Sequence, residues 1–364
     1  MTEARDMAGI ALPFAAGAAA GSILFSVSIP EPVILPSLTA ASLFISIILI
    51  ARNPGNRFNF AIIFCLAGFF CSLNASLTAG IPLPQGAAGR IISTCYDRLR
   101  ACIDSIPYTS DGTGPLVKAL VTGDRSGLGK GTVEIFRASG ASHILALSGL
   151  HLGVIYLILS KLTVPLGRSP LARKVRYAAI VGLSGFYTIM TGAAPSIVRA
   201  FLFIFINETG KILGRERNPS RVLLAALTIQ LALKTEVITS VGFQLSYLAI
   251  LGICTIYPRL EGIYPVPDRV WRKADPMRRI WQASCLSISC QMFTAPLVWL
   301  RFHSFPEYFL ITNLLALPLT SAVMVLSVTT IVLSSFGICP EFLVSLNDLA
   351  VSTLTWCLGI ISGL

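Results

Sequence analysis

The stretch Ser142-His-Ile-Leu-Ala-Leu-Ser-Gly-Leu-His-Leu-Gly-Val-Ile-Tyr-Leu-Ile-Leu-Ser160 contains no Asp, Glu, Lys or Arg. An apolar run of this length matches the thickness of a bilayer's hydrocarbon core. Similar runs lie at about 8–29, 33–51, 58–80, 177–192, 195–213, 222–236, 238–257, 281–300, 307–333 and 343–363. The expected fold is therefore all-α: a polytopic transmembrane helix bundle of about ten or eleven spanning helices, with amphipathic helices on its outer face. Bulk composition agrees. Of 364 residues, 54% are hydrophobic and 12% are charged, about half the charge of a soluble domain. The run from Ile10 onward is near full spanning length and a second follows at once, so the N-terminus reads as a membrane helix rather than a cleaved leader.

Positive charge orders the spans. The loops containing Arg52 and Arg57; Lys161, Arg168, Arg173, Lys174 and Arg176; Arg215, Arg217 and Arg221; and Arg259, Arg269, Arg272, Lys273, Arg278 and Arg279 all fall on one side when spans are counted. Cytoplasmic loops collect Lys and Arg, so that side and the N-terminus are expected in the cytoplasm. Three regions follow: a three-helix membrane region over 1–80, outward-facing amphipathic helices over 81–140, and a transmembrane region over 141–364. Within the second, Ile91, Ile92, Cys95, Leu99, Cys102 and Ile106 mark one face of a helix, with Arg98, Arg100 and Asp104 off it. Further helices are expected over Gly114–Gly123 and Gly131–Ser139. The net charge of +11 is explained by the cytoplasmic loops, or by an anionic cargo.

Chemistry-bearing residues gather around the opening run. Gly123-Asp-Arg-Ser-Gly-Leu128 and Phe136-Arg-Ala-Ser-Gly140 precede it. Placed on a single helix, Ser139, His143, Ser148 and His151 share one half of the circumference. Such residues are costly against lipid, so they face a wet cavity or bond neighbouring helices. A second group is Ser196, Arg199, Phe203 and Asn207 on one stripe, where Arg199 either faces a cavity or reaches the interface. Gln244 and Ser246 sit in Gly242-Phe-Gln-Leu-Ser-Tyr247, and Gln291, Pro296, Asn313 and Pro318 lie in the later spans, where helix–helix bonding is the plainer explanation.

Enzyme templates do not fit. Gly127-Leu-Gly-Lys-Gly-Thr132 lacks the Ser or Thr directly after lysine that a phosphate loop needs. Ala146-Leu-Ser-Gly-Leu150 is not a nucleophile elbow. The histidines at 143, 151 and 303 form no metal motif. A hydrolase using Ser148 and His151 lacks an acid at usable spacing. No catalytic residue, metal or cofactor is expected. Nine cysteines include no C-x-x-C pair; Cys95 and Cys102 on one helix would lie about 10 Å apart, too far to bridge.

Gly123-Asp-Arg-Ser-Gly-Leu128, Phe136-Arg-Ala-Ser-Gly140 and above all His143-Ile-Leu-Ala-Leu-Ser-Gly-Leu-His-Leu152 resemble the signature of the ComEC competence family. The elements at Gly192–Ala200, Gly242–Tyr247 and Asn313–Pro318 follow in matching order. The resemblance covers about 90–335. It implies an inner-membrane channel for uptake of single-stranded DNA in natural transformation, in a bacterial cytoplasmic membrane. It also implies partners: the lipid bilayer, a separate nuclease, a cytoplasmic helicase-type ATPase, an outer DNA receptor and further copies of the chain. Asp124, Arg125, Arg137, Ser139, His143, Ser148, His151, Ser196, Arg199 and Gln244 are the expected lining of the DNA path, since a polyanion calls for cationic and hydrogen-bonding walls. The OB-fold and metallo-β-lactamase-like domains usual in full-length relatives are not seen, so the chain reads as a minimal, truncated or degenerate form. The alternative function is a small-solute transporter or structural scaffold on the same fold; a solute carrier calls for inverted repeats and intramembrane acid–base pairs.

Overall fold

The computed structural model describes residues 2–27, 57–78, 87–167, 169–214, 218–264, 275–303 and 307–363. In chain order its helices are α1 (Thr2–Val27), α2 (Arg57–Thr78), α3 (Ala87–Asp104), α4 (Thr113–Thr122), α5 (Lys130–Ala138), α6 (Ser142–Leu145), α7 (Gly149–Leu162), α8 (Pro170–Met190), α9 (Pro195–Ile212), α10 (Pro219–Leu233), α11 (Val241–Thr255), α12 (Tyr257–Glu261), α13 (Pro276–Phe302), α14 (Phe309–Ser335) and α15 (Glu341–Ser362). No strand occurs among the described residues. Segments Gly149–Leu166, Val241–Glu261, Pro276–Phe302, Phe309–Ser335 and Glu341–Ser362 are long and apolar enough to cross a membrane; Met7–Ile23, Ala61–Ser72 and Pro219–Leu233 are shorter apolar stretches. Helices α8 and α9 cover the runs at 177–192 and 195–213, and their ends carry Arg173, Lys174, Arg176, Glu208 and Lys211. The run at 33–51 and the loop cations Arg52, Arg168, Arg215, Arg217, Arg269, Arg272 and Lys273 lie outside the described residues.

The chain packs as two compact units: Met1–Pro84 with Leu202–Tyr247, and Gln85–Phe201 with Leu248–Leu364. In the first, α1 meets α2 through glycine. A Cβ on Gly17 would stand 1.8 Å from the Cys65 carbonyl oxygen, and one on Gly68 would stand 2.0 Å from that of Phe14. Lipid gives helices no hydrophobic reason to pair, so small residues and close backbones do that work. Phe14, Leu231 and Phe243 fill the space beside this contact. Tyr247 donates to Gln230 Oε1 at 2.9 Å, and Lys211 pairs with Glu208.

In the second unit, α14 and α15 form an antiparallel pair. Thr320, Val323, Met324, Ser327 and Ile331 of α14 are buried, as are Val344, Asn347, Val351, Leu354 and Leu358 of α15. Asn347 Nδ2 donates to Ser327 Oγ at 3.2 Å across the pair. Against these helices lie Ile103, Ile106, Leu116, Val117, Leu120, Phe136, Ala141 and Ile144, completing one core. The apolar face read from Leu99, Cys102 and Ile106 is thus packed on protein. Cys95 and Cys102 share α3, and every cysteine is a free thiol.

One expectation fails. Residues 139–151 are not one helix. The chain turns at Gly140 (φ 76°), makes the single turn α6, extends at Ala146 and Ser148, and starts α7 at Gly149. Ser139, His143, Ser148 and His151 therefore share no helical face. The reason is local: Ser148 caps α7, which fixes it outside helical geometry.

Gly17→Ala and Gly68→Ala should each destabilise the first unit by about 1–3 kcal/mol, since the added carbon forces the backbones apart. Thermal unfolding of the detergent-solubilised protein should start several degrees earlier. Gly9→Ala, with nothing within 4 Å of the added carbon, should leave the transition in place.

Candidate functional site

Helix α4 stops because Gly123 takes a left-handed φ of 81°, its N–H bonding the Ala119 carbonyl. This is the usual glycine helix stop. Asp124 follows in an Asx turn: its Oδ1 accepts from Ser126 N at 3.0 Å. Its Oδ2 meets Arg100 Nη2 at 2.6 Å, and the guanidinium also lies 5.8 Å from the Tyr96 ring centre. Lys118 of α4 pairs with Asp104 of α3. Two oppositely oriented ion pairs thus clasp α3 to α4 and hold the loop 123–129 in place.

The broken stretch is stitched to the bundle by polar atoms. Buried Ser139 accepts, through its carbonyl oxygen, from Thr312 Oγ1 of α14 at 2.7 Å. Exposed His143 places Nδ1 3.2 Å from Gly140 O. Ser148 and His151 form a reciprocal cap. Ser148 Oγ accepts from Leu150 N at 3.2 Å, and Ser148 N donates to His151 Nδ1 at 3.0 Å. Because Nδ1 accepts, the neutral ring carries its proton on Nε2. Nε2 is buried without a hydrogen-bond partner among the described residues, so His151 keeps one donor in reserve. Tyr187 donates to Val121 O at 2.7 Å, tying α8 to α4.

Arg199 is buried, and a Cβ on Gly149 would stand 3.4 Å from its Nη2. The guanidinium therefore lies over the start of α7, at a residue with no side chain. Ser196 sits one turn earlier on α9, half-buried. Arg125 is exposed. Arg137 is exposed beside Glu134 at 3.8 Å, a weak pair at 76% and 66% side-chain exposure. Gln244 belongs to the first unit, where its Nε2 caps Ile238 O at 2.9 Å.

The structure thus joins Ser148 to His151, Arg199 to Gly149, Ser139 to Thr312 and Asp124 to Arg100. Sequence reasoning placed Arg100 only off the apolar face and missed Lys118, Thr312, Asn347 and Asp348. Asp348, on α15, accepts from Thr109 N at 2.9 Å. The adjacent polar pair Asn347-Asp348 in an otherwise apolar helix was the available signal for two of them.

The second unit is a helical membrane bundle in which a charge-clasped, broken-helix stretch is held against long apolar helices. Residues 120–364, more than half the chain, match the family model "Competence protein". The chain belongs to the competence protein family. It is 25% identical over 209 residues to ComE operon protein 3 of Bacillus subtilis (strain 168), covering 57% of this chain and 25% of that protein. It is similar to the uncharacterized protein YcaI of Escherichia coli (strain K12), 25% identical over 249 residues, covering 66% of this chain and 32% of the other. It is also similar to an uncharacterized protein of Aquifex aeolicus (strain VF5), 30% identical over 132 residues, covering 35% and 30%. The chain spans about a quarter to a third of the length of these curated relatives. No solved structure matches it.

Asp124→Asn should loosen the loop 123–129 by weakening its bond to Arg100. A small water-soluble maleimide should then label Leu128→Cys, which is partly buried against the core, several-fold faster in native membranes.

Proposed function

We propose that this chain supplies the membrane-embedded part of a path that carries single-stranded DNA across the bacterial cytoplasmic membrane during natural transformation, without a covalent step. The observation that carries this reading is a series of cationic and hydrogen-bonding side chains, Arg125, Arg137, His143 and His151, set along a broken-helix stretch inside the family-matched region. Broken backbone and charge at a bundle are tolerated where they are covered by protein or meet water. A strand of phosphates needs such a wall, with cations to replace its counterions and no base readout.

In this reading Arg125 and Arg137, both exposed, make the first contacts with the strand. His143 and Ser196 add hydrogen bonds. Arg199 and His151 act further in, where Gly149 leaves the guanidinium room. Asp124 lines nothing itself; it is the counter-ion that orients Arg100. The positive-inside pattern of the basic loops supports a cytoplasmic N-terminus. A cytoplasmic helicase-type ATPase, an outer DNA receptor, a separate nuclease and further copies of the chain complete the machinery.

The test is uptake of labelled DNA by transformable cells lacking the gene and complemented with variants present at equal membrane levels. Arg125→Glu combined with Arg137→Glu should lower uptake by at least about tenfold, since each reversal turns a phosphate contact into a repulsion. Arg125→Lys should restore most of the loss. Uptake unaffected by the double reversal, or by deletion of the gene, would overturn the reading.

A further inference from the structure

The stretch 102–139 touches α14 at two well-separated places. Cys102 Sγ lies 3.9 Å from Ile331 O and 3.6 Å from Ser335 Oγ. Ser139 O lies 2.7 Å from Thr312 Oγ1. From Thr312 to Ile331 a helix rises about 28 Å at 1.5 Å per residue. That is close to the hydrocarbon thickness of a bilayer, about 30 Å. Between these anchors the contact is continuous and apolar: Leu116, Val117, Leu120, Phe136 and Ile144 share one core with Val323, Met324, Val351 and Leu354. Helix α14 is a spanning segment by length and hydropathy. A stretch lying along nearly its whole length cannot rest outside the membrane on one side.

The opposite flank of the same stretch is charged and open. Asp104 has 58% of its side chain exposed, Glu134 66% and Arg137 76%; Arg125 and Lys130 are exposed as well. Acyl chains cannot receive such groups. At bilayer depth, irregular backbone and charge persist only against protein or water.

We infer that residues 102–148 form a membrane-crossing, broken-helix element that runs beside α14 and α15 through the depth of the bilayer and presents Asp104, Arg125, Lys130, Glu134 and Arg137 to a water-filled path. The mixed charge of this wall suits water and a sliding polyanion better than a tightly held one. The inference deepens the DNA-path reading by naming its wall, but it stands on packing and exposure and survives if the cargo is something else.

The experiment is labelling of single cysteines in a background whose native cysteines are replaced, using a membrane-impermeant maleimide on spheroplasts and on inverted vesicles. Ser105→Cys, beside the Cys102 anchor, and Ser142→Cys, beyond the Ser139 anchor, both replace exposed residues. The expected result is reaction from opposite faces of the membrane, with Ser126→Cys between them also reactive. If a serine variant does not accumulate, Ala101→Cys and Ala138→Cys, also exposed, serve in its place. Reaction of both ends from the same face overturns the inference, and so does a Ser126→Cys that is silent from both faces. DNA uptake plays no part in the readout, so failure here is distinct from failure of the proposed function.

Discussion

A bilayer interior offers no hydrogen-bond partner, and that constraint governs the second unit. Every backbone break and every charge between Leu99 and His151 must be answered by protein or by water. The chain answers most of them itself. Gly123 closes α4, Ser148 and His151 cap α7 reciprocally, Thr312 satisfies the Ser139 carbonyl, and Arg100 and Lys118 answer Asp124 and Asp104. Among the described residues of that stretch, what remains unanswered includes the Tyr108 hydroxyl, Thr113 Oγ1 and His151 Nε2, and an exposed flank carries Arg125 and Lys130.

The apolar side of the same stretch explains its position. Leu116, Leu120 and Phe136 are wholly buried, and at bilayer depth their gain is close van der Waals packing rather than escape from water. The Ser327–Asn347 bond and the small buried residues of α14, Ala316, Thr320 and Thr330, packed against Val351, Leu354 and Leu358 of α15 provide the platform. Packing thus fixes which face of α3, α4 and α5 is dry, and the charges take what is left.

The helix class and the edges of α3, α4 and α5 were legible, because each depends on a local signal. A 3.6-residue apolar period marks α3, and glycines flank α4 and α5. The break at 146–148 was not legible from hydropathy: Ala146-Leu-Ser-Gly-Leu150 is apolar enough to read as helix, and the cap that splits it needs His151 to turn back on Ser148. The ion pairs were hidden for another reason. Arg100 and Asp124, like Asp104 and Lys118, meet only after α4 folds back on α3, and no local pattern encodes that return. The family motif concentrated attention on the stretch 123–152, whereas Gln244 belongs to the other compact unit and bonds the Ile238 carbonyl there. Arg100, absent from the expected lining, proves to organise the loop.

The central claim is that one continuous stretch lies along α14 from near one end to near the other. Paired cross-linking in native membranes tests it most directly, joining Cys102 to Ser335→Cys in one variant and Ser139→Cys to Thr312→Cys in another with a short thiol cross-linker. The account predicts efficient intramolecular linkage of both pairs in the same membranes. Linkage of only one pair, or linkage only between separate chains, would contradict it.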